Sequence, residues 1–180
     1  MAFLGVSTDD DGRFCIEEAP MPQVVVISGH PRPGSDTLRL ATELGARIAK
    51  SRGNATFVTV DVAELGPGLL TPADEATGRA LLEVQDATLL IVATPTCRGT
   101  FSGALKVLLD QLPANALAGV VAVPVVTAEV QPQADTAEAF LARLLRELGA
   151  DVVDFGLTAT RSELADPAAV ADQYTAAIIA

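Results

Sequence analysis

Five short runs of aliphatic and β-branched residues, at 24–28, 55–61, 88–94, 120–126 and 151–157, alternate with stretches of helical periodicity that begin near Thr37, Pro72, Ser102, Gln133 and Ala165. Runs so short and so continuously apolar read as strands buried on both faces. Their alternation with helices predicts an α/β fold, a parallel sheet covered on both sides. Within 133–148, Ala137, Phe140, Leu141, Leu144, Leu145 and Leu148 recur at helical spacing, the inner stripe of a covering helix. At 180 residues the chain is enough for one such unit with a sizeable core, and no internal repeat divides it.

The hydrophobic fraction is 49% and the mean hydropathy +0.37, yet no apolar run approaches the roughly 20 residues that span a bilayer. Neither a membrane segment nor a signal peptide is expected, and a cytoplasmic location follows as an expectation. Two cysteines, Cys15 and Cys97, and one histidine, His30, do not supply the four ligands of a structural zinc site. A net charge of −11 and a pI near 4.4 oppose binding to a nucleic-acid backbone. An anionic small ligand would instead need a local cationic spot, for which Arg32 is the first candidate. Residues 1–22, with Asp9-Asp10-Asp11, Glu17-Glu18 and the Pro20-Met21-Pro22 break, read as an acidic, flexible extension before a single domain at 23–180. Ser7, Asp9, Asp11, Gly12 and Glu18 approach the spacing of a calcium loop. Position one is serine and only six residues precede it, so a solvated acidic arm is the reading taken.

In open α/β sheets, ligands bind outside the carboxyl ends of the strands, which directs attention to 28–36, 94–102 and 126–132. The first run ends in Ser28-Gly29-His30-Pro31-Arg32-Pro33-Gly34-Ser35-Asp36-Thr37, a loop of small residues and hydroxyls leading straight into a helix. Neither G-x-G-x-x-G nor G-x-x-x-x-G-K-[ST] is present, so any phosphate here would be held by hydroxyls, backbone amides and one arginine. Ser35 and Thr37 equally suit helix capping. The second loop reads Pro95-Thr96-Cys97-Arg98-Gly99-Thr100-Phe101-Ser102-Gly103-Ala104-Leu105-Lys106.

Taken together, the two loops at this separation closely resemble the NADPH-dependent FMN reductase family, over roughly 24–150. The nearest likeness is to the small reductases that supply reduced flavin to two-component sulfonate monooxygenases. The resemblance implies a flavodoxin-like, doubly wound, five-stranded parallel sheet of order 2-1-3-4-5 with helices on both faces. It further implies FMN and NADPH or NADH as cofactors, with hydride transfer from nicotinamide to the flavin N5 and a possible flavin-dependent monooxygenase as partner. A homodimer or homotetramer is implied as well, which would use the apolar helix at 104–112. By the same resemblance Ser28, His30, Arg32, Ser35 and Thr37 lie at the flavin phosphate, and Pro95, Thr96, Cys97, Arg98 and Gly99 lie along the ring. No acid–base dyad is expected, since the cofactor carries the difficult step. The chain departs from the family pattern at His30, Asp36, Cys97 and Glu129, and its third loop, Thr127-Ala128-Glu129-Val130-Gln131-Pro132, lacks the usual paired glycines. A binding or scaffold protein with a degenerate flavin site, or an FMN-dependent quinone or azo reductase, therefore stands as the alternative. Lys106 reads equally as a ligand contact or a solvated residue. Cys97 reads as an inert thiol rather than a nucleophile, and His30 as a loop residue rather than a proton donor.

Overall fold

The computed structural model describes residues 4–8, 14–18, 23–53 and 55–179. In the N-terminal segment, β1 (Leu4–Thr8) and β2 (Phe14–Glu18) pair antiparallel as a separate two-stranded ribbon. The expected flexible arm otherwise falls outside the described residues, as do Asp9, Asp11 and Gly12 of the calcium-like spacing. The main sheet is built from β3 (Gln23–Ser28), β4 (Thr56–Asp61), β5 (Leu89–Pro95), β6 (Val121–Ala128), β7 (Asp151–Val152) and β8 (Leu157–Thr160), all parallel, in the order β4-β3-β5-β6-β7 with β8 also on β6. Counted by βα unit this is 2-1-3-4-5, as the pattern and the resemblance predict.

The fifth strand differs from its expected form. One strand at 151–157 is replaced by two pieces on the same edge: Val121 faces Asp151, whereas Val125 faces Leu157. The offset grows from 30 to 32 residues, so two extra residues are accommodated opposite Pro124. Proline has no N–H for the ladder, and a bulge is where a sheet tolerates it.

Alternation along the strands divides the core into two layers. Val25, Ile27, Leu90 and Val92 face α3 (Glu75–Gln85), α4 (Gly103–Leu109) and α5 (Gln131–Glu147). Val24, Val26, Leu89 and Ile91 face α1 (Asp36–Ser51) and, beyond it, α6 (Pro167–Ile179). The second helical region begins as the four-residue α2 (Val62–Leu65) and a 3₁₀ turn (Gly66–Leu70), because Gly66 and Pro67 interrupt it; the full helix starts only after Asp74, whose carboxylate caps Thr77. On α5 the stripe is buried at Ala134, Ala137, Leu141 and Leu145, while Phe140 is half exposed, a correction to the expected inner face. Leu105, Leu108 and Leu109 of α4 are fully buried in the core, so that apolar face is not free for another subunit. No helix among the described residues is long and apolar enough to cross a membrane.

Candidate active-site cleft

A cleft of about 480 Å³ opens at the carboxyl ends of the strands. It is lined by the β3–α1 loop from His30 and Arg32 to Thr37, by Pro95 and Thr96 after β5, by Thr127 to Glu129 after β6, and by Arg161 and Leu164 after β8. The first wall is the start of α1. Ser35 is the N-cap, its Oγ accepting from the Leu38 N–H at 3.1 Å. Accepting leaves the hydroxyl proton free to donate, so capping and anion binding coexist at one residue. The first amides of the helix, at Asp36 and Thr37, have no intrahelical acceptor, and the helix dipole favours negative charge there. Asp36 carries its own charge at this end, but Arg39 Nη1 lies 2.8 Å from its carboxylate. Among the described residues Arg32 has no ion pair, and its side chain is exposed at the cleft. His30 Nδ1 lies 3.0 Å from the Arg32 N–H and 3.2 Å from the Arg32 carbonyl, folding the ring against its own loop.

Thr37 is buried, and its hydroxyl lies 2.7 Å from that of Thr127, joining the first wall to the third. Ser28 is fully buried at the end of β3, and its Oγ has no hydrogen-bond partner among the described residues. It does not line the cleft surface.

The second loop is tied to the first from beneath. Ser102 caps α4 by accepting from the Leu105 N–H, donates its hydroxyl to the Gly29 carbonyl, and donates its own N–H to Thr94 Oγ1 at 2.9 Å. Gly29 must be glycine for this contact, since a Cβ there would sit 2.5 Å from Cβ of Leu105. Pro95 and Thr96 reach the cleft, with the Thr96 N–H donating to the Thr127 carbonyl at 2.8 Å. Cys97, Arg98 and Gly99 do not line it. They form a tight hairpin in which Cys97 and Thr100 exchange backbone hydrogen bonds, and Arg98 (φ 53°) and Gly99 (φ 86°) both take the left-handed conformation of a type I′ turn. Lys106 pairs with Asp110, 2.5 Å away, on the outer side of α4.

The far wall contains what sequence reasoning missed. Arg161 follows β8 directly, and its Nη1 donates to Glu129 Oε1 at 2.9 Å. The signal was available: an arginine at the carboxyl end of the fifth strand satisfies the same rule that selected the other loops. Glu129 therefore lies on the cleft with its charge compensated, beside Ala128, in a loop that lacks the family's paired glycines. Among the described residues no three histidine, cysteine or acidic side chains are grouped to hold a metal.

A doubly wound parallel sheet with an anion-ready β3–α1 loop and a cleft across the strand ends at the point where strand order reverses defines the flavodoxin-like class. Within that class, the family model for NADPH-dependent FMN reductase matches residues 22–162, and the chain belongs to this family. It is 38% identical over 84 residues, 47% of this chain and 44% of the other, to an FMN reductase (NADPH) of Escherichia coli strain K12. The chain spans about half the length of the curated relatives it matches. Among solved structures it is similar to the apo form of an NADH:FMN oxidoreductase (EMOB), with a TM-score of 0.71 and 26% identity over 87% of this chain and 89% of that one. A flavodoxin from the domain Archaea shares the fold at a TM-score of 0.54 and 13% identity, over 88% of this chain and 99% of that one.

Proposed function

We propose that the protein is an NAD(P)H-dependent FMN reductase. The observation that carries the reading is the Arg32 guanidinium, without an ion pair among the described residues, on the same cleft as the open amides of α1 in a chain that belongs to this family. The donor set fits a terminal phosphate dianion: a planar guanidinium fork, two backbone N–H groups, and the free hydroxyl protons of Ser35 and of the Thr37–Thr127 pair. FMN, when bound, supplies the hydride acceptor, and NAD(P)H with one proton supplies the hydride and completes the reduced flavin. The chain's own part is to bind, orient and exclude water. Arg32, Ser35 and Thr37 would hold the phosphate, with His30 at the same wall. Pro95 and Thr96 form the floor, fixed through Thr127. Ser28, fully buried and off the cleft surface, is assigned no direct contact with the phosphate. Cys97, Arg98 and Gly99, in the hairpin next to the floor, would close over one edge of the ring.

Residues 23–180 are proposed as the flavin-binding unit, which agrees with a family match beginning at residue 22. The same proposal includes a cytoplasmic location, in keeping with a free thiol at Cys97. It also includes release of reduced flavin to a monooxygenase and a homodimer or homotetramer. Light scattering at micromolar concentration is expected to give a multiple of the 18.5 kDa chain mass, and a monomeric mass removes the oligomer. For the activity, FMN is titrated into purified protein with fluorescence detection, then NADPH is added anaerobically. Saturable quenching followed by bleaching of the visible flavin band is the expected result. Absence of quenching would transfer the protein to the scaffold reading.

A further inference from the structure

Arg161 is a second guanidinium on the cleft, and the flavin contacts proposed above leave it unused. Its position is built by several interactions. The Arg161 N–H donates to the Ala128 carbonyl at 2.9 Å, fastening the loop to the end of β6. Glu163 Oε2 accepts from both the N–H (2.7 Å) and the hydroxyl (2.6 Å) of Thr160, and Ser162 Oγ lies 3.0 Å from that hydroxyl. These bonds hold the Glu163 carboxyl below its ordinary pKa and keep the turn closed around Arg161. Among the described residues the side chain makes one bond, from Nη1 to Glu129, which leaves the Nε and Nη2 hydrogens for another acceptor. At 78% exposure the group meets a ligand without a buried charge having to be uncovered.

Resting on the flavin-reductase reading, we infer that Arg161 is a binding residue for the second substrate, the nicotinamide dinucleotide. It receives a phosphoryl group of the nicotinamide dinucleotide, and Glu129 both orients it and competes with that group. The β3–α1 wall already offers Arg32 and a helix N-terminus to one phosphate, whereas Arg161 enters from the loop after the fifth strand, so it serves a second anionic group on the same cleft. An arginine fork bound at one nitrogen only is suited to a phosphoryl oxygen pair. Two sources share this chemistry: the pyrophosphate common to both dinucleotides, and the 2′-phosphate carried by only one.

The test uses calorimetric titration of the full chain, free of flavin and at low salt, with NADP⁺ and with NAD⁺, for wild type, R161A, R161K and E129Q. FMN affinity is measured separately by fluorescence. R161A is expected to weaken NADP⁺ about tenfold, R161K to recover part of the loss, and E129Q to tighten NADP⁺ about threefold by removing the competing carboxylate. A loss confined to NADP⁺ assigns the 2′-phosphate, and an equal loss for NAD⁺ assigns the pyrophosphate. Equal NADP⁺ affinity in wild type and R161A overturns the inference, and FMN quenching in the same samples then leaves the reductase reading standing. Absence of FMN binding to wild type overturns that reading instead, while the dinucleotide titrations still decide Arg161. Should R161A lose its thermal transition, R161K and E129Q carry the same comparison.

Discussion

Ser28 keeps a hydroxyl fully buried at the end of β3 with no partner among the described residues, an arrangement that costs about 1–3 kcal/mol. Ser28→Ala is therefore expected to raise the unfolding free energy of the free protein by about 1 kcal/mol in urea titrations. Destabilisation of the free protein would mean that the hydroxyl is satisfied in the fold. Arg32 gives the complementary case. Exposed and without an ion pair among the described residues, its side chain adds little to the free fold, so Arg32→Ala should leave the melting temperature in place and weaken FMN by about 1.5–3 kcal/mol, the range of a bond to a charged group. An unchanged flavin titration would remove Arg32 from the site. Arg32 could be placed on the cleft from the sequence because a lone arginine between a strand and a helix is a local signal, whereas how deeply Ser28 sits at the strand end could not. The Thr37–Thr127 bond and the Glu129–Arg161 pair were not legible either, because each joins loops that only the sheet order brings together.

At the scale of elements, the five βα units could be read directly, since a strand buried on both faces leaves an uninterrupted apolar run. The break in the fifth strand could not, because its cause lies on a neighbouring strand: Pro124 withholds a ladder donor from the edge where Gly156 turns. Phe140 misled for a similar reason, as helical spacing marks a stripe but not how far its margin extends beyond the sheet. The bulge is tightly enclosed. A Cβ on Gly156 would sit 2.6 Å from Glu138 Oε1 and 2.7 Å from the Pro124 carbonyl oxygen, and backbone cannot give way. Gly156→Ala should cost about 1–3 kcal/mol by denaturant unfolding. Glu138 beside it is partly buried, and burial raises its carboxyl above the ordinary value. Burial, and then the charge of Glu138, pushes Tyr174 up to about 12, while its hydroxyl donates to the Phe155 carbonyl at 2.6 Å. For Glu138 the folded chain retains a proton that the unfolded chain has released. Its contribution is thus fully present below the ordinary carboxylate pKa and is lost as pH rises through the folded one. Glu138→Gln removes that loss, so its melting temperature relative to wild type should be more favourable at pH 7 than at pH 4. The opposite trend would show that the charged carboxylate is the form the bulge prefers.

The whole molecule carries −11, while its proposed ligand is an anion held by one or two guanidinium groups. Which charge a ligand senses depends on distance. A globule of 180 residues has a radius of gyration of about 16 Å. At 0.01 M salt the screening length is about 30 Å, so an approaching flavin phosphate responds to the full negative charge; at 0.15 M it is about 8 Å, and only the groups lining the cleft act. The two stages of binding should therefore respond oppositely to salt. Association should accelerate from 0.01 to 0.15 M as the long-range repulsion is screened, and dissociation should also accelerate as the Arg32 contact is weakened. Stopped-flow quenching of FMN resolves the two rates. Arg32→Ala should keep the salt-driven rise in association and lose most of the rise in dissociation. If association instead slows with salt, the cleft's own cations dominate its field out to the solvent, and the acidity of the remaining surface has no part in ligand capture.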